Sequence, residues 1–449
     1  MSAESPSLRE RLAANDLAYV LVTLAGVYAL YLAAGLALGF EVRGLLNSLG
    51  VVTFYVAVFA MLALALNLHW GYTGLFNIGV VGFMAVGIYT MAIVSKPVAG
   101  AGGSAAQVGG LGLPLWVGII AGMVVAALLG LVVALPALRL RADYLAIVTI
   151  AMSEIVRFTL LSSTFQTFTL FGREVGLGGG SGLILDFEDP LGALIGALGL
   201  GGPYDGLVAF VGGYVTRNPR PVVDQFVYSL LLLLFVAGFY WLLKRTGESP
   251  FGRVLKAIRE DEQVASALGK DTGRFKTKSF MLGCALMGLV GVVWYMGQGA
   301  ITPNTFRPRL TFFVWIALII GGAGSNTGSV LGGAVFAAIL FQGPLYFKNL
   351  VDRVVSVSDA PGSFGPAVAP LIGSGDPVPF LLYTVDSVRQ LQLVLMGVVL
   401  IVLMHRRPEG LLGHRTETAA SIPLVRPPAG EGDEPDSPAA AADGGATDE

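Results

Sequence analysis

Apolar runs of about 20 residues recur along this chain, and they constrain its fold more than any other feature of the sequence. A helix of that length crosses the hydrocarbon core of a bilayer while making all of its backbone hydrogen bonds internally. Hydrophobic residues make up 54% of the 449 residues and charged residues only 13%, which is far from the composition of a soluble globular protein. The sequence therefore predicts an all-α polytopic membrane protein.

The hydrophobic pattern predicts about ten transmembrane helices, and a count of eight or nine stays open. The predicted spans are 17–39, 46–68, 72–95, 114–135, 144–162, 227–243, 277–297, 310–327, 329–346 and 390–404. The spans 310–327 and 329–346 are separated by the Gly-rich segment 321–328, which forms either a tight turn or a re-entrant break. Glycines within such spans let helix backbones approach closely.

Basic residues predict the orientation, because Lys and Arg accumulate on the cytoplasmic side of membrane proteins. The basic positions are Arg9 and Arg11, Arg139 and Arg141, the segment 244–278, and His405, Arg406 and Arg407. With ten spans they all fall on one side. We therefore expect a multi-pass protein of the cell membrane with both termini in the cytoplasm.

The same pattern divides the chain into three parts. Residues 1–16 are predicted to be a cytoplasmic N-terminal segment, 17–413 a transmembrane domain, and 414–449 a disordered acidic cytoplasmic tail. Two long segments, 163–226 and 347–389, fall on the outward side. They either receive a substrate-delivery protein or are tolerated insertions.

Segment 244–278 concentrates charge on a helix-forming sequence. Pro250 is typical of a helix start and Gly269 of a helix stop. The apolar stripe between them is formed by Val254, Leu255, Ile258, Val264, Ala265 and Leu268, and the charged residues around it are Arg253, Lys256, Arg259, Glu260, Asp261 and Glu262. Such a helix docks into a partner's groove or lies on the membrane surface. Its acidic residues favour docking to a partner over lying on the membrane surface, because anionic lipid would repel them.

No motif indicates chemistry on this chain. A G-x-x-x-x-G-K-[ST] sequence is missing, so no Walker A nucleotide site is expected. The three histidines, His69, His405 and His414, lack metal-ligand spacing, and no cofactor, metal or nucleic-acid partner is expected. If transport is ATP-driven, ATP and Mg must bind to separate subunits.

Two features inside the predicted spans could serve a substrate. The third span begins GYTGLFNIGVVGFMAVGIYT, and its glycines make a helix that unwinds easily, as broken helices lining a cavity do. The candidate pathway residues are Thr73, Gly74, Asn77, Gly79, Gly82 and Tyr89. The segment 321–333 has the same character. Close helix packing through small residues is the alternative for both segments.

A candidate intramembrane ion pair lies in the fifth predicted span. Glu154 and Arg157 are spaced i, i+3, so they share a helix face and can pair. Charged residues at that depth normally face a protein interior or an aqueous cavity. The pair either attracts a zwitterionic substrate or locks helices together.

Four blocks of sequence together resemble the LivM-type permease subunit of the branched-chain amino acid ABC importers. They are 62–90, 138–158, 249–295, and the C-terminal signatures 321–336 and 406–413. The resemblance implies import by alternating access, with a second homologous permease subunit, two ATP-binding subunits and an extracytoplasmic substrate-binding protein as partners in the lipid bilayer. The resemblance implies that Glu262, Ala265, Ala267 and Gly269 match the motif that engages an ATPase subunit. The candidate ATPase-coupling residues are Arg253, Arg259, Glu262, Ala265 and Gly269.

Two departures from that family's pattern bear on the substrate and the outward face. Val80 stands where many members carry His or Gln, and segments 163–226 and 347–389 are longer than usual. Urea or short-chain amide importers share the same signatures. An ion-coupled secondary transporter with two inverted halves and a membrane enzyme are the rival classes.

Overall fold

The computed structural model describes residues 16–99, 108–137, 142–185, 190–197, 199–214, 218–296, 298–354 and 360–412. They belong to one compact unit, Met1–Gly413, and a second unit comprises His414–Glu449. The predicted acidic tail and nearly all of the predicted N-terminal segment lie outside the described residues. The same holds for His414 and for the basic positions Arg9, Arg11, Arg139 and Arg141.

The described part of the chain is mostly helical, as the sequence predicts. Its helices are α1 (Asp16–Ala37), α2 (Val42–Asn67), α3 (Val80–Ser95), α4 (Leu115–Ala137), α5 (Ala142–Leu161), α6 (Pro190–Ala197), α7 (Gly201–Tyr214), α8 (Arg220–Glu248), α9 (Pro250–Glu260), α10 (Glu262–Ala267), α11 (Thr272–Met296), α12 (Pro308–Gly321), α13 (Asn326–Val335), α14 (Gly343–Val354), α15 (Phe364–Gly373), α16 (Val378–Asp386) and α17 (Val388–Arg406). π-Helical turns follow α2 over Leu68–Tyr72 and α13 over Phe336–Gln342.

Among the described residues, seven helices are long and apolar enough to cross a membrane, or up to eight if one bent pair counts as a span. Each of the ten predicted spans contains a helix, but two of these helices are shorter than predicted. Span 72–95 is helical only from Val80. Span 310–327 holds the 14-residue helix α12, which at about 21 Å is shorter than the hydrocarbon core.

The Gly-rich segment 321–328 forms a tight turn between α12 and α13. Gly322 and Gly324 have φ angles of +101° and +94°, which few other residues adopt. Ser325 then caps α13 by accepting a hydrogen bond from the backbone N–H of Gly328 at 3.0 Å. The backbone N–H groups of Leu411 and Leu412 donate to carbonyl groups at the end of α12, so the C-terminal signature covers this turn.

The two segments predicted on the outward side contain regular structure. In segment 163–226, strand β1 (Phe168–Leu170) pairs antiparallel with β2 (Arg173–Val175), followed by α6 and α7. Strand β3 (Leu183–Ile184) pairs antiparallel with β4 (Ala300–Ile301), which follows α11. Segment 347–389 includes the end of α14 together with α15 and α16.

Helix α2 lies at the centre of the bundle. Its residues 56–67 are all buried, as expected for a helix that is apolar on every side and surrounded by others. Helices α4 and α8 instead expose large apolar side chains, including Trp116 and Trp241, as helices facing lipid do. The end of α2 therefore positions the candidate site inside the protein.

Candidate functional site

The chain is interrupted between α2 and α3. After the π turn Leu68–Tyr72 it runs without regular helix as far as Gly79. Gly74 has a φ angle of +73°, which glycine adopts without steric cost. This break coincides with the Gly-rich stretch for which the sequence predicts an easily unwound helix. π-Helical turns frequently occur at functional sites.

Asn77 fixes the shape of the break through hydrogen bonds. Its Oδ1 accepts a hydrogen bond from the backbone N–H of Gly79 at 2.8 Å, and its Nδ2 donates to Nδ1 of His69 at 3.1 Å. Nε2 of His69 then donates to the carbonyl oxygen of Phe280 on α11 at 3.0 Å, which fits a single imidazole tautomer. The backbone carbonyl of Asn77 accepts a hydrogen bond from Trp315 Nε1 at 3.0 Å. The break is thus tied to α11 and α12.

Thr73 connects the break to α11 as well. Its Oγ1 donates to the carbonyl of Leu68 at 2.9 Å and lies 2.8 Å from Oγ of Ser279. All the hydroxyl groups involved are buried. The side chains of Thr73 and Asn77, predicted to lie on a substrate pathway, are therefore bonded to protein groups, and their pathway role stays a prediction.

Replacing Asn77 with alanine is expected to lower the free energy of unfolding by about 1–3 kcal/mol, because the Gly79 N–H and the His69 ring would lose buried hydrogen-bond partners. The thermal unfolding midpoint of the detergent-purified protein measures this effect. Asn47 lies on α2, before the break, with its side chain exposed, and supplies the control: Asn47→Ala should leave the midpoint unchanged. Equal midpoints for the two variants would contradict a stabilising role for the hydrogen bonds of Asn77.

The predicted docking helix consists of two helices. Ser249 caps α9 by accepting a hydrogen bond from Gly252 N–H, so the helix begins at Pro250 as predicted. Asp261 then adopts an extended conformation, and its Oδ1 accepts hydrogen bonds from the backbone N–H groups of Gln263 and Val264 at 2.8 and 3.0 Å. An aspartate that caps the following turn in this way ends one helix and starts another. The single continuous helix expected from the stripe was therefore wrong.

Gly269 ends the second of these helices, α10, as the sequence predicts. Its φ angle of +77° is the left-handed conformation typical of a glycine after a helix C-terminus. Glu262, at the start of α10, forms an ion pair with Lys276 of α11 at 2.8 Å. Ala265 is buried. Glu262 therefore ties α10 to α11 in addition to any contact with a partner.

Arg259 lies at the junction between α9 and the break. One guanidinium nitrogen, Nη1, donates to the carbonyl of Gly71 in the π turn, while Nε and Nη2 donate to Glu260 Oε1 at 3.1 and 2.5 Å. A Cβ atom on Gly74 would lie 3.3 Å from Arg259 Cγ, and one on Gly324 would lie 3.3 Å from Nη1. Arg259 thus contacts the break and adjoins the turn between α12 and α13. Arg253 is exposed and donates to the carbonyl of Glu248 at 3.1 Å.

Helix α5 lies against the start of α3 at two small polar residues, Thr149 and Ser153. Oγ1 of Thr149 accepts a hydrogen bond from the backbone N–H of Ile78 at 3.0 Å. A Cβ atom on Gly79 would lie 2.5 Å from the Thr149 carbonyl oxygen, and one on Gly82 would lie 2.8 Å from Cα of Ser153. The two glycines are therefore required for the close approach of these helices. Close packing was the alternative to a pathway role for these glycines.

The ion pair predicted between Glu154 and Arg157 is present on α5. Nη2 of Arg157 lies 2.5 Å from Glu154 Oε2, and Nη1 donates to Oδ1 of Asn304 at 3.4 Å. The guanidinium also lies 4.4 Å from the ring centroid of Phe158. Because the carboxylate partner belongs to the same helix, this pair does not itself join two helices.

The glycines of segment 321–333 allow α13 to pack closely against α12 and α2. A Cβ atom on Gly332 would lie 2.5 Å from the backbone nitrogen of Gly321, and one on Gly333 would lie 2.5 Å from that of Ala60. The polar residues at the turn bond to Asn67. Its Oδ1 accepts from Gly324 N–H at 2.7 Å, and its Nδ2 donates to Asn326 Oδ1 at 3.2 Å.

Sequence reasoning missed several residues of this region: Asn67, Thr149, Ser153, Lys276 and Asn304. An amide inside the predicted span 46–68 is a signal that could have identified Asn67, because a polar group at that depth needs a partner. No signal in the sequence pairs Lys276 with Glu262. No group of three or more His, Cys, Asp or Glu side chains that could hold a metal ion occurs in the described residues.

Comparisons with known proteins identify the family. Residues 48–404 match the branched-chain amino acid transport system permease component family. The chain is 32% identical over 277 residues to the high-affinity branched-chain amino acid transport system permease protein LivM of Escherichia coli (strain K12), which covers 61% of this chain and 58% of that protein. It is 25% identical over 336 residues to the probable branched-chain amino acid transport permease protein LivM of Methanocaldococcus jannaschii, covering 68% and 84%.

A related permease is similar over a shorter region. The high-affinity branched-chain amino acid transport system permease protein LivH of Salmonella typhimurium is 31% identical over 109 residues, 24% of this chain and 35% of that protein. The chain thus spans less than two thirds of the length of the Escherichia coli LivM protein that it matches. No solved structure matches it. Because the family match covers most of its residues, the chain belongs to the family of branched-chain amino acid transport system permease components.

Proposed function

We propose that this chain is the transmembrane permease subunit of an ATP-driven ABC importer that moves branched-chain or related hydrophobic amino acids into the cell. Its family and the names of its relatives support the role and the substrate class. ATP and Mg bind to separate subunits, and the complex contains two ATP-binding subunits, a second homologous permease and an extracytoplasmic substrate-binding protein. Both termini and the α9–α10 segment face the cytoplasm.

The observation that carries this proposal is the division of the apolar stripe on α9 and α10. Leu255, Ile258 and Ala265 are buried against the protein, whereas Val264 is 55% and Leu268 is 73% exposed. Exposed apolar side chains that lie together and are rimmed by polar ones mark surfaces that bind another protein. We therefore propose that α10 is the surface on which an ATP-binding subunit docks, with Glu262, Ala265 and Gly269 shaping it.

The mechanism follows from the two contacts of this segment. The exposed apolar side chains of α10 meet the ATP-binding subunit, and Arg259 of α9 contacts the break. ATP binding and hydrolysis shift the equilibrium between inward- and outward-open states only by binding more tightly to one of them. Movement of α9 and α10 transmits that preference to the break, and the substrate then passes by alternating access.

Replacing Val264 and Leu268 together by aspartate is expected to prevent co-purification of the ATP-binding subunits, because two charges would be buried at an apolar contact. A pull-down of the tagged chain from native membranes, followed by mass spectrometry, measures the loss. Phe171, which is 86% exposed on the turn between β1 and β2, provides the control, since Phe171→Asp should leave the subunits bound. Undiminished recovery from the double variant would refute the docking surface.

Uptake assays distinguish amino acids from the alternative substrates, urea and short-chain amides. Urea or a short-chain amide would be carried by the same architecture, so the reconstituted complex is offered labelled leucine and labelled urea in parallel. The proposal predicts ATP-dependent accumulation of leucine. Accumulation of urea alone would assign the chain to the other substrate class.

A further inference from the structure

Two buried hydroxyl groups in the described residues have no hydrogen-bond partner: Tyr89 on α3 and Ser153 on α5. Tyr89 is 2% exposed and Ser153 is 1% exposed. An unpaired buried hydroxyl costs free energy, so a protein that keeps one needs a reason for it. The two hydroxyls lie on helices that pack against each other, since a Cβ atom on Gly82 of α3 would lie 2.8 Å from Cα of Ser153.

Contacts and short stretches of chain link the surroundings of these two hydroxyls. Ser153 faces Gly82 of α3, where a Cβ atom would lie 3.3 Å from the serine Oγ. Tyr89 lies seven residues after Gly82, which is about two turns further along the same face of α3. The Tyr89 ring lies 6.2 Å from the ring of Phe306, and Phe306 lies 5.0 Å from Tyr295.

The ion pair provides the link on the α5 side. Arg157 follows Ser153 by one turn, and its Nη1 donates to Asn304, two residues before Phe306. Three of the five guanidinium N–H groups are bonded to described residues, which leaves two for a ligand. Glu154 adds a carboxylate, and its side chain is 28% exposed.

We infer that these linked residues, Tyr89, Ser153, Glu154, Arg157 and Asn304, form a binding subsite for the zwitterionic backbone of an α-amino acid, an inference that rests on the proposed function. The guanidinium and the two hydroxyls bind the substrate carboxylate, and Glu154 binds its ammonium group. The aromatic side chains of Tyr295 and Phe306 adjoin its apolar substituent. Because both hydroxyls are buried in this structure, the substrate reaches them when α3 and α5 separate during the transport cycle.

Because these two hydroxyls have no hydrogen-bond partner among the described residues, their effects on stability and on transport can be measured separately. A hydroxyl that bonds to nothing in the protein contributes nothing to its stability, so Tyr89→Phe and Ser153→Ala should leave the thermal unfolding midpoint unchanged or raised. Each variant should nonetheless increase the KM for leucine uptake by about tenfold, the effect of losing one hydrogen bond to a charged group. The measurement is the initial rate of labelled leucine uptake by the complete complex in proteoliposomes.

Tyr31 supplies the matched control. It is equally buried, but its hydroxyl donates to the carbonyl of Ala338 at 2.6 Å. Tyr31→Phe should therefore lower the unfolding midpoint and leave the KM unchanged, the reverse of the pattern expected for Tyr89→Phe.

The outcomes separate the subsite from the proposed function. If the wild-type complex takes up leucine and neither Tyr89→Phe nor Ser153→Ala changes the KM, the hydroxyls bind at most water and the subsite is overturned alone. Lower midpoints in both variants, in step with lost uptake, would assign them a structural role and overturn it too. If the wild-type complex takes up no amino acid, the proposed function fails and the subsite with it.

Discussion

Replacing Arg259 with alanine is expected to reduce the stimulation of ATP hydrolysis by substrate-loaded binding protein by about tenfold or more, the consequence of losing a charge-assisted hydrogen bond. The guanidinium donates to the carbonyl of Gly71 inside the break, so it joins the segment that meets the ATP-binding subunit to the interrupted helix. Without it, α9 and α10 move while the break does not follow. The ATPase activity of the complete complex, with and without loaded binding protein, measures the effect.

Two further variants separate coupling from assembly. Arg274→Ala removes the same kind of side chain from the start of α11, where Arg274 is 82% exposed and pairs with Asp271, so stimulation should persist. Arg259→Lys keeps the charge but loses the planar fork that reaches Gly71 and Glu260 together, and it should restore stimulation only in part. Basal ATPase activity and subunit recovery should match the wild type throughout. Full stimulation in Arg259→Ala would show that the contact transmits nothing.

Gly333→Ala is expected to destabilise the bundle by about 3 kcal/mol, at the upper end of the range for overpacking a core. A methyl group at Gly333 would lie 2.5 Å from the backbone nitrogen and 2.6 Å from Cα of Ala60, so α13 and α2 would have to move apart. Because backbone atoms cannot rotate away as a side chain does, the strain spreads along both helices. The thermal unfolding midpoint in detergent should fall by several degrees.

Gly238 on α8 supplies the control for this substitution. It is exposed in the middle of a helix, and a Cβ atom there would meet nothing within 4 Å. Gly238→Ala should leave the midpoint unchanged or raise it, because alanine restricts the unfolded chain more than glycine does. If both alanine variants behaved alike, the close approach of α13 and α2 would not be what Gly333 provides.

The sequence predicts the fold class well because hydrophobic runs report burial in lipid directly. It predicts the limits of the α9–α10 segment for a similar reason, since Pro250 and Gly269 have strong local preferences. The interruption at Asp261 was missed, because the residues on either side continue one apolar stripe. The capping geometry of Asp261 shows where the first helix ends, and only burial in the structure shows that Val264 and Leu268 are exposed while Ala265 is buried.

The sequence predicts the position of the break between α2 and α3 but not its hydrogen bonds. Glycines indicate where a membrane helix can unwind, and Gly74 does adopt a left-handed conformation. Periodicity carries no information about partners, however, so the bonds of Asn77 to His69 and of Thr73 to Ser279 could not be predicted. The same applies to Arg259, whose charge predicts an exposed position while its guanidinium reaches inward to Gly71. Long-range hydrogen bonds require the tertiary structure.

The central claim is that this chain works as one subunit of an ATP-driven importer, and leucine uptake by its isolated complex tests that claim most directly. The complex is purified through a tag on this chain from native membranes and reconstituted in liposomes with its binding protein. The proposal predicts co-purification of two ATP-binding subunits and a second permease, with uptake that requires both ATP and binding protein. Recovery of the chain alone, able to transport in liposomes without ATP, would contradict it in favour of a secondary transporter.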